Sequence, residues 1–378
     1  MALGLDDKKY TLDDSGNPPS GQGCRTGVPP PMPLISRDVP AFGPDENAQG
    51  KPPAANDSDY TSQWESYELP TWLAYDLSAV DAAARTSIVA VVYNNRISAY
   101  DHALNGDANV YAGFAAYRLE GSRAAGGSLP ADTAWEPLAK VEGNTRHSRQ
   151  HVLDFTGFNW IRIVVTALDG IDDPPRVSLD LDVHDAHAGR CDDWIFFGDG
   201  VTEQGLMVDG GDTLAARIGA AFPGRFPLME CGGIRDWSAE RARKEIPTAG
   251  FLTDFPGHYV GLAFGWEDAR ADADPESFYT FEKNLAETVL AQGKVPVVPK
   301  IPWGPQEPQQ SAAKAMNEQV DRLYAELPAV VRGPDLWSLF EQHPDYLTGD
   351  WGVVTMQGRA EVRRVWTETL TTTVYAPH

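Results

Sequence analysis

The stretch Asp192-Asp193-Trp194-Ile195-Phe196-Phe197-Gly198-Asp199-Gly200 decides the fold. Its apolar run predicts a buried strand, and the closing glycines predict the turn that ends it. A helical stretch is expected near 213–222, then a second buried strand at Tyr259-Val260-Gly261-Leu262-Ala263-Phe264. Helical spacing over 278–291 ends at Gly293, and Val295-Pro296-Val297-Val298 reads as a third strand. Residues 312–327 and 357–370 read as further helices. Strands alternating with helices predict a parallel α/β sheet covered on both faces, assigned to 189–378. Ligand sites in such sheets lie at the carboxyl ends of strands, here at 198–200 and 265–268.

Working outward, residues 34–188 read as all-β. Ile88-Val89-Ala90-Val91-Val92-Tyr93 closes on Asn94-Asn95, and Ile161-Arg162-Ile163-Val164-Val165 is a second strand-like run. Val177-Ser178-Leu179-Asp180-Leu181-Asp182-Val183 alternates strictly. A β-sandwich is expected, with Trp64, Trp72 and Trp160 in its core. Asp172, Asp173, Asp180, Asp182 and Asp185 read chiefly as a solvated strand face, with a small calcium site as the alternative. Residues 1–33 are Pro-rich and form a linker or a strand-like wrap over the sandwich.

The 378 residues suit two domains, and 42% apolar with 22% charged residues excludes a wholly disordered chain. No apolar run reaches the roughly 18–20 residues of a membrane span. A net charge of -23 repels phosphate backbones and anionic lipid, so neither nucleic acid nor membrane is an expected partner. Cys24, Cys191 and Cys231 are an odd number. A Cys191–Cys231 bridge is weighed against free buried thiols.

Four blocks in 189–378 resemble the SGNH (GDSL-type) hydrolase family. They are Phe197-Gly198-Asp199-Gly200-Val201-Thr202, Gly233-Ile234-Arg235-Asp236-Trp237-Ser238, Gly265-Trp266-Glu267-Asp268 and Asp350-Trp351-Gly352-Val353-Val354-Thr355. Asn56-Asp57-Ser58-Asp59-Tyr60, Trp72-Leu73-Ala74-Tyr75-Asp76-Leu77 and Phe158-Asn159-Trp160-Ile161-Arg162 resemble a discoidin or galactose-binding jelly roll. Arg146, His147 and Arg149 are candidates there for a polar binding face. The resemblance implies a jelly roll followed by a flavodoxin-like α/β domain, as in secreted bacterial proteins. Export is therefore the expected localisation.

The family's four defining positions are all replaced. Gly200 stands where the nucleophilic Ser is expected, Asp236 and Glu267 where the oxyanion-hole Gly and Asn are, and Val353 where the His base is. Ser–His ester hydrolysis needs an activated hydroxyl, a base and oxyanion donors, and these residues supply none. Two replacements introduce carboxylates. The leading expectation is a carbohydrate-active hydrolase in which Glu267 and Asp236, with Asp350 in reserve, cleave a glycosidic bond by general acid/base catalysis. Gly200, Asp199, Glu203, Arg235, Trp266 and Trp351 are the candidate substrate-binding residues, the two indoles as a stacking floor for a sugar. Arg235 is the candidate counterion for either carboxylate. The polymer partner is a polysaccharide or oligosaccharide. No cofactor or metal is assigned, although clustered carboxylates suit Ca²⁺ or Mg²⁺. The alternatives are a catalytically inactive glycan-binding protein and an esterase with a carboxylate or metal-bound-water nucleophile.

Overall fold

The computed structural model describes residues 24, 27–44, 50–94, 113–144, 148–168, 175–206, 210–248, 252, 257–348 and 353–376. Its first nine strands are β1 (Ala41–Phe42), β2 (Trp64–Ser66), β3 (Thr71–Asp76), β4 (Ser87–Asn94), β5 (Phe114–Ser122), β6 (Glu136–Glu142), β7 (Ser148–Asp154), β8 (Trp160–Leu168) and β9 (Val177–Asp185). They form two antiparallel sheets, ordered β1-β3-β8-β5-β6 and β2-β9-β4-β7. Alternation along each strand builds the core between them. Leu73, Tyr75, Ile161, Ile163 and Leu119 meet Ile88, Ala90, Leu179 and Leu181.

Trp64 and Trp160 are fully buried. Trp72 is not a core residue, contrary to expectation. It alternates with Leu73 and Tyr75, so it points away from the core and is half-buried on the outer face of the first sheet.

The expected solvated face of Asp180, Asp182 and Asp185 is also overturned, since all three are buried. The outer face of the second sheet is covered, not wet. Met32, Tyr60 and Leu228 pack there against Val89, Val91 and Tyr93. Asp182 accepts a hydrogen bond from the Tyr60 hydroxyl. Burial pushes its carboxyl up to about 7. Asp172, Asp173, Arg146 and His147 lie outside the described residues.

The segment before β1 wraps along β9. The Ile35 amide donates to Val183 at 2.8 Å, and the Asp185 amide donates to Pro33 at 2.9 Å. Cys24 is tied to Cys191, with Cα atoms 5.7 Å apart. Cys231 is the free thiol, which corrects the Cys191–Cys231 pairing. Cys231 lies inside a sheet strand, in register with Phe196, whereas Cys191 precedes that sheet and faces the N-terminal wrap.

The second unit holds β10 (Asp193–Gly198), α1 (Gly200–Gly205), α2 (Leu214–Ala221), β11 (Leu228–Gly233), α3 (Ala239–Thr248), β12 (Tyr259–Ala263), α4 (Trp266–Arg270) and α5 (Pro275–Ala291). It continues through β13 (Val295–Lys300), α6 (Gln309–Glu326), β14 (Val331–Asp335), α7 (Leu336–Gln342), the short pair β15 (Leu347–Thr348) and β16 (Val353–Val354), and α8 (Met356–Thr373). Strands β11-β10-β12-β13-β14 lie side by side, all parallel. This is the doubly wound order in which the chain reverses direction across the sheet at its first strand.

The deciding stretch explains the layering. Ile195 and Phe197 face a cluster completed by α3, α5 and α6, including Ile246, Leu285 and Met316. Trp194 and Phe196 face the opposite cluster of α2, α7 and α8, including Ile218, Phe340 and Trp366. Each large apolar side chain so buried contributes about 1.5–3 kcal/mol. The sandwich joins this unit through buried polar contacts as well. Gln150 on β7 donates to Glu230 on β11 at 2.7 Å.

Candidate functional site at the strand ends

The loops that follow β10, β11 and β12 converge at the carboxyl edge of the sheet. Asp199 caps α1: one oxygen accepts the Val201 amide at 3.0 Å and the other accepts the Trp266 amide at 2.9 Å. It thereby ties the turn after β10 to the start of α4. Burial, reinforced by the Glu267 charge, pushes its carboxyl up to about 8. Asp268 holds the next loop by accepting the Ala239 amide at 3.0 Å, and burial raises it to about 6.

Two glycines make the convergence possible. A side chain at Gly233 would place its Cβ 2.4 Å from the Glu203 backbone nitrogen, so β11 meets α1 only without one. Gly265 has φ of 118°, in the left-handed region, and turns the chain sharply into α4. Gly200 is different. A Cβ there would lie 3.5 Å from Arg235 Cγ, an ordinary contact, so space does not enforce glycine at this position.

Glu203, in the first turn of α1, accepts the Arg235 amide at 3.0 Å and lies 4.0 Å from the Arg235 guanidinium. It braces the loop after β11. Arg235 is thus engaged with Glu203, and the cation expected to pair with the two new carboxylates is another residue, Arg270. Its Nη2 lies 2.7 Å from Asp236 and 2.6 Å from Glu267. One guanidinium nitrogen therefore bridges the two carboxylates of Asp236 and Glu267. Asp236 is half-exposed at φ 62°, while Glu267 is nearly buried. Burial raises the Glu267 carboxyl, and Arg270 opposes that rise.

Trp266 corrects another expectation. Its side chain is 2% exposed and belongs to the sheet's hydrophobic cluster, so it cannot serve as a floor for a sugar. The left-handed turn at Gly265 directs the indole beneath the loop. Trp303 is partly buried against the same cluster. Asp350 and Trp351 lie outside the described residues. Val353 is exposed, and the helix after it is capped by Thr355, which accepts the Gly358 amide at 3.1 Å.

Sequence reasoning missed two residues. Arg270 follows Glu267 by one helical turn, a spacing that places both side chains on one face. Glu282 continues the buried stripe Phe278, Tyr279, Leu285, Ala286 and Val289 of α5, a periodicity that points it inward. It is 1% exposed, and neither carboxyl oxygen has a hydrogen-bond partner among the described residues. Burial, then the nearby Asp268 and Asp199, hold its proton on well above the usual carboxylate range. Asp199, Asp268 and Glu282 are thus a buried acidic knot under the loops. Among the described residues no group of three or more His, Cys, Asp or Glu side chains is placed to hold a metal ion.

The fold and the site together describe a doubly wound α/β unit whose strand-end loops are held by carboxylates and one bridging arginine. No protein-family model matches the chain, and no curated protein does. Several solved structures resemble one unit or the other. A lipase/acylhydrolase from Enterococcus faecalis is 15% identical, over 47% of this chain and 94% of that one, with a TM-score of 0.39. An acetylxylan esterase from Geobacillus stearothermophilus is 14% identical, over 47% and 93%, with a TM-score of 0.39. A chitosan-binding module of a chitosanase/glucanase from Paenibacillus sp. IK-5 is 14% identical, over 40% and 98%, with a TM-score of 0.29. These proteins include hydrolases and a carbohydrate-binding module, and at such scores no activity transfers from them to this chain.

Proposed function

We propose that the chain is a saccharide-binding protein whose strand-end loops have an SGNH-like layout without acyl-transfer chemistry. The observation that carries this reading is Arg270 bridging Asp236 and Glu267 through one nitrogen. A developing oxyanion at that place would meet two carboxylates instead of two N–H donors. Gly200 offers no hydroxyl to attack with, and Val353 takes no proton. The bridged trio instead presents a planar guanidinium and a half-exposed carboxylate at the rim. Such planar groups bond the paired hydroxyls of a sugar without being consumed.

A second reading has its own support. Glu267 is a buried carboxyl with a raised affinity for its proton, next to the half-exposed Asp236. That asymmetry is the arrangement of an acid beside a base. The two carboxylate oxygens that share one nitrogen lie closer together than the roughly 6.5–9.5 Å carboxyl spacing of an inverting glycosidase, which favours a double displacement.

Titration calorimetry of the full chain against neutral xylo-, chito- and gluco-oligosaccharides tests the first reading. Binding by the parent, weakened about tenfold or more in Asp236→Ala, supports it. Absence of binding across the panel, or binding indifferent to that substitution, overturns it.

A further inference from the structure

The outer face of the first sandwich sheet carries a cleft of about 430 Å³, far from the strand-end loops in sequence. Pro70, Trp72, Arg118, Glu120, Trp135 and Arg162 are among its walls. The register explains why they meet. Trp72 and Arg118 both pair with Val164 across β8, and Glu120 pairs with Arg162. These positions alternate with core residues, so all project outward. Trp135 arrives from the β5–β6 connection, and the Arg162 guanidinium lies 4.3 Å from its ring centre. The volume falls within the roughly 300–1,000 Å³ of small-ligand sites.

The charges on this floor are unusual for a sheet surface. Glu120 and Arg162 are 8% and 9% exposed, yet they belong to no hydrophobic core. Glu120 is paired with both Arg118 and Arg162. Arg162 also lies 3.3 Å from Asp132, whose side chain is 97% exposed and which is correspondingly screened. Two guanidiniums thus face one buried carboxylate on the floor, with the exposed Asp132 carboxylate at the edge balancing the cleft's charge. Arg118 meets Glu120 through Nε, and its two terminal nitrogens have no protein partner among the described residues. Held in this way, they form a fork suited to a carboxylate. Trp72 stands on the same outer face, half-buried and offering an apolar surface to a ring.

We propose that this cleft binds a uronate-bearing oligosaccharide, with the sugar carboxylate on the Arg118 fork and a pyranose face against Trp72. The proposal extends the saccharide-binding reading but rests on different residues. The site is preorganised, because Glu120 fixes both guanidiniums before a ligand arrives. The ligand's carboxylate replaces water on Arg118 and leaves the Glu120 pairings intact.

The test is titration calorimetry of the full chain with trigalacturonate and with its fully methyl-esterified form, which removes the charge and keeps the ring. The expected result is binding of the acid at least about tenfold tighter than the ester. Arg118→Gln is expected to abolish that preference, and Arg118→Lys to restore only part of it, since a lysine keeps the charge but not the fork. Trp72→Leu, checked for an unchanged melting temperature, is expected to weaken both ligands about tenfold. Absence of trigalacturonate binding overturns the proposal, as does equal affinity for acid and ester. Binding lost in Asp236→Ala but kept in Arg118→Gln and Trp72→Leu also overturns it, while leaving the strand-end reading standing.

Discussion

Raising the pH from about 5 to about 8 is expected to destabilise the folded chain, by an amount on the order of 5 kcal/mol. Burial pushes Asp192 and Asp268 to about 6, Asp182 to about 7 and Asp199 to about 8. In the unfolded chain these carboxyls titrate near the ordinary value of about 3.9. Between about pH 4 and pH 8 these carboxyls hold more protons in the folded state than in the unfolded state, while His151, His184 and His258, lowered by burial to about 3, 4 and 4, hold fewer below about pH 6.5 and offset part of the trend. The stabilisation these carboxyls supply is lost as the pH rises across that window. The net charge of -23 adds self-repulsion of the same sign as the carboxyls ionise. Asp76, Asp212 and Glu326 have lowered values, and their contribution is lost only on the acid side, below about pH 4. Urea unfolding at pH 5, 6.5 and 8 is expected to show a midpoint that falls steadily. A midpoint that rises over the same range would contradict the buried acidic knot.

Replacing Arg270 by alanine is expected to cost about 2–3 kcal/mol, a large effect for a residue on a five-residue helix. The reason lies with the partner left behind. Glu267 is nearly buried, so without the guanidinium it carries an uncompensated charge or must take up a proton. Asp236 is half-exposed and loses far less. The double variant Arg270→Ala/Glu267→Gln is therefore expected to recover most of the loss, because glutamine carries no charge to strand. Chemical denaturation of the two variants beside the parent measures this. Equal stability of parent and Arg270→Ala, or no recovery in the double variant, would remove the bridge from the account.

The parallel sheet was legible because its central strands are continuous apolar runs bounded by glycines. The flanking strands β11 and β14 were not, since Gly232-Gly233 and Gly333-Pro334 interrupt any continuous apolar run there. The sandwich face bearing Asp180 and Asp182 misled for a physical reason. Alternation predicts a polar side that meets water, but it does not reveal that the N-terminal wrap and the second unit cover that side. Trp72 failed in the opposite way: an indole in a strand reads as core, yet the register assigns it to the outer row.

At the site, the first three blocks fall on the loops that follow β10, β11 and β12, while the partners were misjudged. Arg235 was the neighbour in sequence, but Arg270 is the neighbour one turn along α4. Trp266 was adjacent to the expected chemistry, yet a left-handed Gly265 sends its ring inward. Glu282 lay far from every block and was hidden in plain view on an apolar stripe. Spacing shows which residues share a loop, and only packing decides which of them face each other.

The central claim is that the strand-end loops hold saccharide without cleaving it. Its most direct test is product analysis by mass spectrometry after prolonged incubation of the full chain with a panel of polysaccharides and acetylated oligosaccharides, the Glu267→Gln variant beside it. The account predicts that neither protein shortens, deacetylates or desaturates any substrate. Shortened chains formed by the parent and lost in Glu267→Gln would contradict it and establish a carboxylate glycosidase.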